Sequence, residues 1–401
     1  MLDIRSLFPI YEHNPNLCYL DSAASCLKPQ VLVEAVREYY EECGVNIHRG
    51  LYELSEQATN RYEETRGLVA EFLGGVSPTE VVFTSGATES INLVAFGMRE
   101  LLSEGDSLVV TMSEHHANFV PWQQLANMTG AELRFADLND DGLLNVKDLL
   151  LKVDETTRLV ALPQVSNVLG VVNRISSIIH LIKLKNPQCW VLVDGSQAVA
   201  HIEIDLNDLG CDFYVFSAHK LYGPTGVGVL WGKIEALEML DVYQTGGDMI
   251  ERVETSGTEF AAVPHRFEAG TPNIAGVWGL GAVLKWWKEL DRDEIWRTES
   301  KLVTRLYDEL DAMESVRLLG GQERSSLLAF VVDGVHAHDV AQVLAEQDIC
   351  VRAGHHCAMP LHREVLGIAA SVRVSLGMYN TRDDLERLLE SLQLAMQQFK
   401  K

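Results

Sequence analysis

Ser217-Ala218-His219-Lys220-Leu221-Tyr222-Gly223-Pro224 decides the reading of this chain of 401 residues. The apolar run Phe213 to Phe216 ends there, on a lysine set among Ser, His, Tyr, Gly and Pro. Before it in the chain, the apolar run Trp190 to Val193 ends on Asp194-Gly195-Ser196-Gln197. A buried acid at one strand end and a lysine at a later one suit a pyridoxal phosphate site. The lysine carries the aldehyde coenzyme as a Schiff base, and the carboxylate keeps the pyridine nitrogen protonated. Each residue alone reads as well as a solvated side chain at a strand end. Together, and with a phosphate loop elsewhere in the chain, they point to the coenzyme.

Along the chain, short apolar runs alternate with helical patterns. The runs Val81–Thr84, Ser107–Met112, Leu159–Pro163, Trp190–Val193, Phe213–Phe216 and Gly226–Leu230 predict strands. Glu89–Leu102, Phe119–Met128, Ile175–Lys185 and Ile234–Met239 predict helices. Such alternation predicts an α/β fold, a large mostly parallel sheet covered on both faces, with ligands outside the carboxyl ends of its strands. From about 274 two long helices (Ile274–Leu290 and Trp296–Met313) form a bridge. Beyond them the strand patterns Ser326–Val332, Ile349–Arg352 and Val372–Leu376 and the helix patterns His338–Gln347 and Asp383–Phe399 predict a smaller α+β domain. The expected division is a large domain over 19–272 and a small one built from 1–18 and 273–401.

The bulk numbers narrow the partners. A formal net charge of -24 opposes nucleic acid or an anionic membrane surface. No apolar run has spanning length, and the N-terminus carries no basic-then-apolar signal, so a cytoplasmic location is expected. The seven cysteines are odd in number and widely spaced, which fits neither a disulfide framework nor a zinc site.

Other stretches carry chemistry. Thr84-Ser85-Gly86-Ala87-Thr88-Glu89-Ser90 follows a strand and opens a helix, so its backbone N–H groups and the Thr88 hydroxyl can cradle a phosphate; the alternative is an ordinary helix start capped by Thr88 or Ser90. In Glu114-His115-His116-Ala117-Asn118, His115 can stack on a pyridine ring and move a proton, while His116 reads as a plain surface residue. Asn167 either hydrogen-bonds the ligand or makes a turn, and Gln197 can reach a ring hydroxyl. Arg352-Ala353-Gly354-His355-His356-Cys357 sets a thiol beside two histidines and an arginine, and nearby positive charge stabilises a thiolate. A metal pair of His355 or His356 with Cys357, or an inert cysteine, are the alternatives. Arg373 lies inside an apolar strand and needs an anion there, either a substrate carboxylate or a structural acid.

Taken together, from Tyr19-Leu20-Asp21-Ser22 to Met378-Tyr379-Asn380-Thr381, the chain resembles the cysteine desulfurases of the class V aminotransferase branch of fold-type I PLP enzymes. Gly-His-His-Cys-Ala-Met-Pro-Leu (354–361) resembles their second group, the SufS- and CsdA-like enzymes. The resemblance implies Lys220 as the coenzyme lysine, Asp194 at the ring nitrogen, Gln197 at the ring oxygen and His115 over the ring. It implies Thr88, Ser217 and His219 at the phosphate, with Thr271 reaching in from the other subunit of a homodimer. Asn167 and Arg373 would hold the substrate carboxylate, with His48 and Arg352 at the entrance. Cys357 would take sulfur from L-cysteine, leaving alanine, and pass it to an acceptor protein of the SufE/CsdE type. No metal is implied; selenocysteine and cysteine sulfinate are further possible substrates. A selenocysteine lyase or an aminotransferase on the same scaffold is the competing reading. Ser85 and Ala87 stand where the second group commonly has Arg and Thr, and Ala218 where Gly is usual.

Overall fold

The computed structural model describes residues 4–399. Its main sheet has seven strands: β1 (Val81–Thr84), β2 (Ser107–Thr111), β3 (Glu132–Ala136), β4 (Thr157–Pro163), β5 (Trp190–Asp194), β6 (Phe213–Ser217) and β7 (Gly228–Gly232). In space they lie in the order β1-β7-β6-β5-β4-β2-β3. Six run in one direction; β7 alone is antiparallel to its two neighbours. Both faces are buried, as the near-continuous apolar runs require. Val191 and Val193 of β5 face one core with Tyr214 and Phe216 of β6, while Leu192, Phe213 and Val215 face the other. That is the two-residue alternation of a pleated strand sandwiched between helical layers.

One layer is built on α1 (Gln30–Glu38), α2 (Glu53–Phe72) and the long helix Ile274–Glu289. At Gly281 a Cβ would lie 2.3 Å from Thr65 Oγ1, so the bare backbone is what lets that helix close on α2. The long helix is opened by Asn273, whose side chain accepts from Gly276 N–H at 3.0 Å. The other layer packs α3 (Ala87–Gly97) and α4 (Val120–Thr129) beneath Val82, Val110 and Leu230.

A second sheet is antiparallel throughout, in the order β8 (Val316–Leu319), β9 (Leu327–Val332), β11 (Ser371–Ser375), β10 (Arg352–Gly354). Helices Arg292–Asp311, Ala337–Ala345 and Arg382–Phe399 cover one face. Against the other face packs a loop of the main body, through Val168, Leu169 and Val171, together with Ala358 and Leu361. This contact seats the loop bearing Cys357 over the carboxyl ends of the main sheet.

Several boundaries move. The strand expected at Gly226 starts at Gly228, because Gly226 has φ +72° and turns the chain. The expected strand Ile349–Arg352 is two pieces: Ile349–Cys350 pairs with Cys18–Tyr19, and Arg352–Gly354 pairs with β11. The edge strand β3 and the hairpin Ile250–Glu254 with Gly257–Phe260 were not foreseen; neither carries an apolar run, β3 is mostly half-buried and the hairpin is largely exposed. Among the described residues no helix is long and apolar enough to cross a membrane.

Candidate functional site

Asp194 closes β5, Ser217 closes β6 and Thr84 closes β1, so all three stand at one edge of the sheet. Asp194 Oδ1 accepts from the Ser196 N–H at 2.9 Å, which fixes the carboxylate at its strand end. Directly after Ser217 the chain makes one 3-10 turn, Ala218–Lys220, and drops Lys220 into a cavity of about 220 Å³. Burial lowers the pKa of the Lys220 ammonium, with the Asp194 carboxylate opposing. The cavity wall also carries Thr88, His115, Asn167, Gln197, Ser217 and His219. Arg352 and Arg373 close it from the small sheet, and His356 from the loop that follows Gly354.

The phosphate-loop geometry follows from Gly228. This residue pairs with both Thr84 and Ser217, and a Cβ on it would stand 2.3 Å from Gly86 Cα. Glycine there lets the loop lie flat on the sheet. The Ala87 N–H donates to Ser217 Oγ at 2.8 Å. No side chain caps the helix that begins at Ala87; the N-cap is Gly86, not Thr88 or Ser90. The exposed Thr88 thus stands in the open first turn, where unpaired N–H groups favour an anion.

His115 Nδ1 accepts from the Ala117 N–H at 3.1 Å, so the ring proton sits on Nε2. Burial and the Lys220 charge push its pKa down to about 3, which keeps the imidazole neutral. It is a flat neutral ring with one N–H. Behind it lies a buried network that sequence reading missed. Thr111 and Asn118 donate to the Glu114 carboxylate at 2.8 and 2.7 Å, and Trp122 Nε1 donates to Asn118 at 2.9 Å. Burial raises the Glu114 pKa well above the usual range, and the Asp194 charge adds to it.

Arg373 is 1% exposed. Its Nη2 meets Asp21 Oδ1 at 2.9 Å and its Nη1 donates to the Asn167 carbonyl at 3.0 Å. Its Nε has no partner, and neither does His219 Nδ1, although both atoms are buried. Gln197 Nε2 donates to the Ala23 carbonyl at 2.9 Å. Asn167 Nδ2 donates to the His356 carbonyl at 2.7 Å, so this amide props the neighbouring loop.

Cys357 stands beside the cavity, half-buried, with Arg352 Nη2 at 3.7 Å from its Sγ. His116, expected to be a bystander, holds this loop at both ends. Its N–H donates to the Cys357 carbonyl at 2.6 Å, and its Nε2 accepts from the Met359 N–H at 3.0 Å. The partners are more than two hundred residues apart, and no local pattern announces the contact.

His48 and Thr271 are not brought to Lys220 within the chain. His48 lines a separate cleft with Gly270 and Pro272, and Thr271 between them is exposed. Donor atoms of His48, Glu63 and His265 lie within 4.8 Å of one another. That carboxylate is already engaged: although burial opposes it, hydrogen bonds from His48 and Arg66 pull Glu63 down to about 2.

With this geometry in hand, the relatives of the chain are informative. The aminotransferase class-V family matches residues 18–388. A protein of Cronobacter sakazakii named cysteine desulfurase is 46% identical over 397 residues, covering 97% of this chain and 96% of its own. A cysteine desulfurase of Yersinia pseudotuberculosis is 45% identical over 396 residues, 97% of each chain. The crystal structure of the cysteine desulfurase CsdA from Escherichia coli, in an S-sulfonic acid form, superposes with a TM-score of 0.91 at 39% identity, over 99% of this chain and 98% of that one.

Proposed function

The chain belongs to the class V aminotransferase family and is a cysteine desulfurase of the second group, and from that premise we propose how its own residues divide the work. The cavity holds pyridoxal 5'-phosphate. The donor set supports this: an amine and a carboxylate at neighbouring strand ends, an open helix start with a free hydroxyl, and two buried polar atoms, His219 Nδ1 and Arg373 Nε, that want partners. Lys220 would attach the coenzyme, Asp194, Gln197 and His115 would hold its ring, and Thr88, Ser217 and His219 would hold the phosphate. When bound, the coenzyme supplies an electron sink conjugated to the substrate Cα.

The remaining chemistry belongs to the chain. Arg373 and Asn167 seat the substrate carboxylate. Lys220 Nζ, its basicity reduced by burial, takes the Cα proton. The Cys357 thiolate, beside Arg352, attacks the substrate sulfur. A sulfur–sulfur bond forms, the carbon–sulfur bond breaks, and its electron pair remains on the substrate Cβ, which takes the proton given up by the Cys357 thiol, while Lys220 Nζ returns its proton to Cα. L-Cysteine and Cys357 thiol thus become L-alanine and a Cys357 persulfide. The single observation carrying this reading is the Arg352–Cys357 contact, whose arginine lines the Lys220–Asp194 cavity.

Residues 19–272 act as the coenzyme-bearing domain, and 1–18 with 273–401 as the domain that brings Arg352, Cys357 and Arg373. The enzyme works as a homodimer in which His48 and Thr271 serve the partner's cavity. Their separate cleft supports this, as do the neighbouring exposed apolar side chains Tyr40, Leu51, Tyr52 and Leu54, a patch of the kind that another protein covers. The persulfide passes to an acceptor protein of the SufE/CsdE type in the cytoplasm. The test is a product assay with L-cysteine: alanine and Cys357-bound sulfur support the reading, while a keto acid without sulfur release overturns it.

A further inference from the structure

Building on the sulfur-acceptor role of Cys357, we infer that His356, Ser371 and His362 form a neutral hydrogen-bonded relay that positions the Cys357 loop for attack. The three side chains are buried, at 2%, 0% and 0% exposure, and the mechanism above uses none of them.

His356 Nε2 lies 3.0 Å from Ser371 Oγ and 3.2 Å from the Ser371 carbonyl oxygen. His362 Nε2 lies 3.0 Å from the same Oγ, and His362 Nδ1 lies 3.0 Å from the Ala358 carbonyl. Carbonyl oxygens only accept, so they assign both tautomers. His362 carries its proton on Nδ1 and donates to Ala358, which leaves Nε2 to accept. His356 carries its proton on Nε2 and donates toward Ser371. The Ser371 hydroxyl then accepts from His356 and spends its one hydrogen on His362. Every donor meets an acceptor in one consistent order, and the relay begins one residue before Cys357 and closes one residue after it.

The loop needs such support. His356 and Cys357 have φ of +49° and +57°, two consecutive side-chain-bearing residues in the left-handed region. That conformation persists only where the surroundings over-determine it. His116 and Asn167 grip the loop through its backbone; the relay grips it through its own side chains. Burial pushes His356 to about 2 and lowers His362, in keeping with two neutral rings. The order also leaves His356 Nδ1 as an unprotonated, unpartnered acceptor on a residue that lines the cavity.

The test compares holoenzyme kinetics on L-cysteine with those on cysteine sulfinate, whose oxidised sulfur leaves without thiolate attack. For Ser371→Ala and His362→Leu we expect kcat on cysteine to fall about tenfold or more, as loss of positioning does. KM for cysteine and turnover of the sulfinate should stay within about twofold. His362→Gln, whose amide keeps one donor and one acceptor, should recover most of the loss. Equal loss on both substrates, or no loss on cysteine, overturns the relay. Should the variants not fold, nitrogen-15 imidazole spectra of the wild-type enzyme decide: His362 as the Nδ1–H tautomer and His356 as the Nε2–H tautomer support it, and any other pair overturns it. A wild-type enzyme forming no Cys357 persulfide would instead remove the premise, a distinct result.

Discussion

Arg352 Nη2, on β10, approaches Sγ of Cys357, five positions further along the chain, to 3.7 Å, and Arg352 lines the cavity that holds Lys220. The pair joins a cation to a nucleophile on an element that is not part of the main sheet. A guanidinium N–H at that distance donates to the sulfur and fixes where it points. Arg352→Ala should slow alkylation of Cys357 by iodoacetamide at neutral pH about tenfold, with a similar loss in cysteine turnover. Peptide mapping after timed alkylation reads the rate at Cys357 apart from the other half-buried thiols, Cys43 and Cys350. An unchanged rate would remove Arg352 from the mechanism.

Cys357→Ala should reduce desulfuration of L-cysteine by at least about a hundredfold, since the carbon–sulfur bond then lacks its nucleophile. Cysteine sulfinate turnover should survive. Parallel assays for sulfide and for sulfite measure both; full cysteine activity in the variant would contradict the assignment.

Arg373→Lys keeps the charge but loses the planar fork. Arg373 is buried and anchored by Asp21 at 2.9 Å, so a shorter ammonium reaches neither partner as well. KM for cysteine should rise about tenfold or more, with kcat changed less. Steady-state kinetics on the holoenzyme check this, and an unaltered KM would assign Arg373 to structure alone.

Gly228→Ala should weaken coenzyme retention, because the added Cβ would stand 2.3 Å from Gly86 Cα and must lift the phosphate loop. Gly67→Ala is the control: its Cβ meets open space inside a helix, and the change should stabilise by about 0.5–1 kcal/mol. Coenzyme content after dialysis separates the two. Equal retention in both variants would show that the close approach at Gly228 does not shape the phosphate site.

Acid should destabilise the fold through its buried histidines. His356 is pushed down to about 2 by burial, below its unfolded value near 6.5. The unfolded chain therefore binds the proton that the folded chain refuses. The contribution is intact above pH 6.5 and is lost as pH falls below it, by about 1.4 kcal/mol per pH unit. His356→Gln should flatten the fall in stability between pH 6 and pH 4 by about that slope. Denaturant titrations of both proteins measure it, and identical slopes would contradict the neutral state of His356.

What the sequence made legible was the chemistry of strand ends. Asp194 and Lys220 follow apolar runs that can only be buried strands, and a polar residue at such an end has few places to point. Strand direction was not legible: β7 carries the same apolar run whether parallel or antiparallel, so its reversal had no local signal. Contacts made at long range were equally silent. His116 looked like a surface residue until the Cys357 loop, folded down from the small sheet, placed a carbonyl and an N–H against it. Asn167 showed the same ambiguity, because an amide after a strand serves a ligand or a loop with equal ease.

Borohydride reduction of the purified holoenzyme followed by peptide mapping reads which lysine carries the coenzyme. One pyridoxyl-modified peptide is expected, bearing the label on Lys220, with loss of visible absorbance and of cysteine turnover in step. A label on Lys28 or any other lysine, or full activity after reduction, would contradict it.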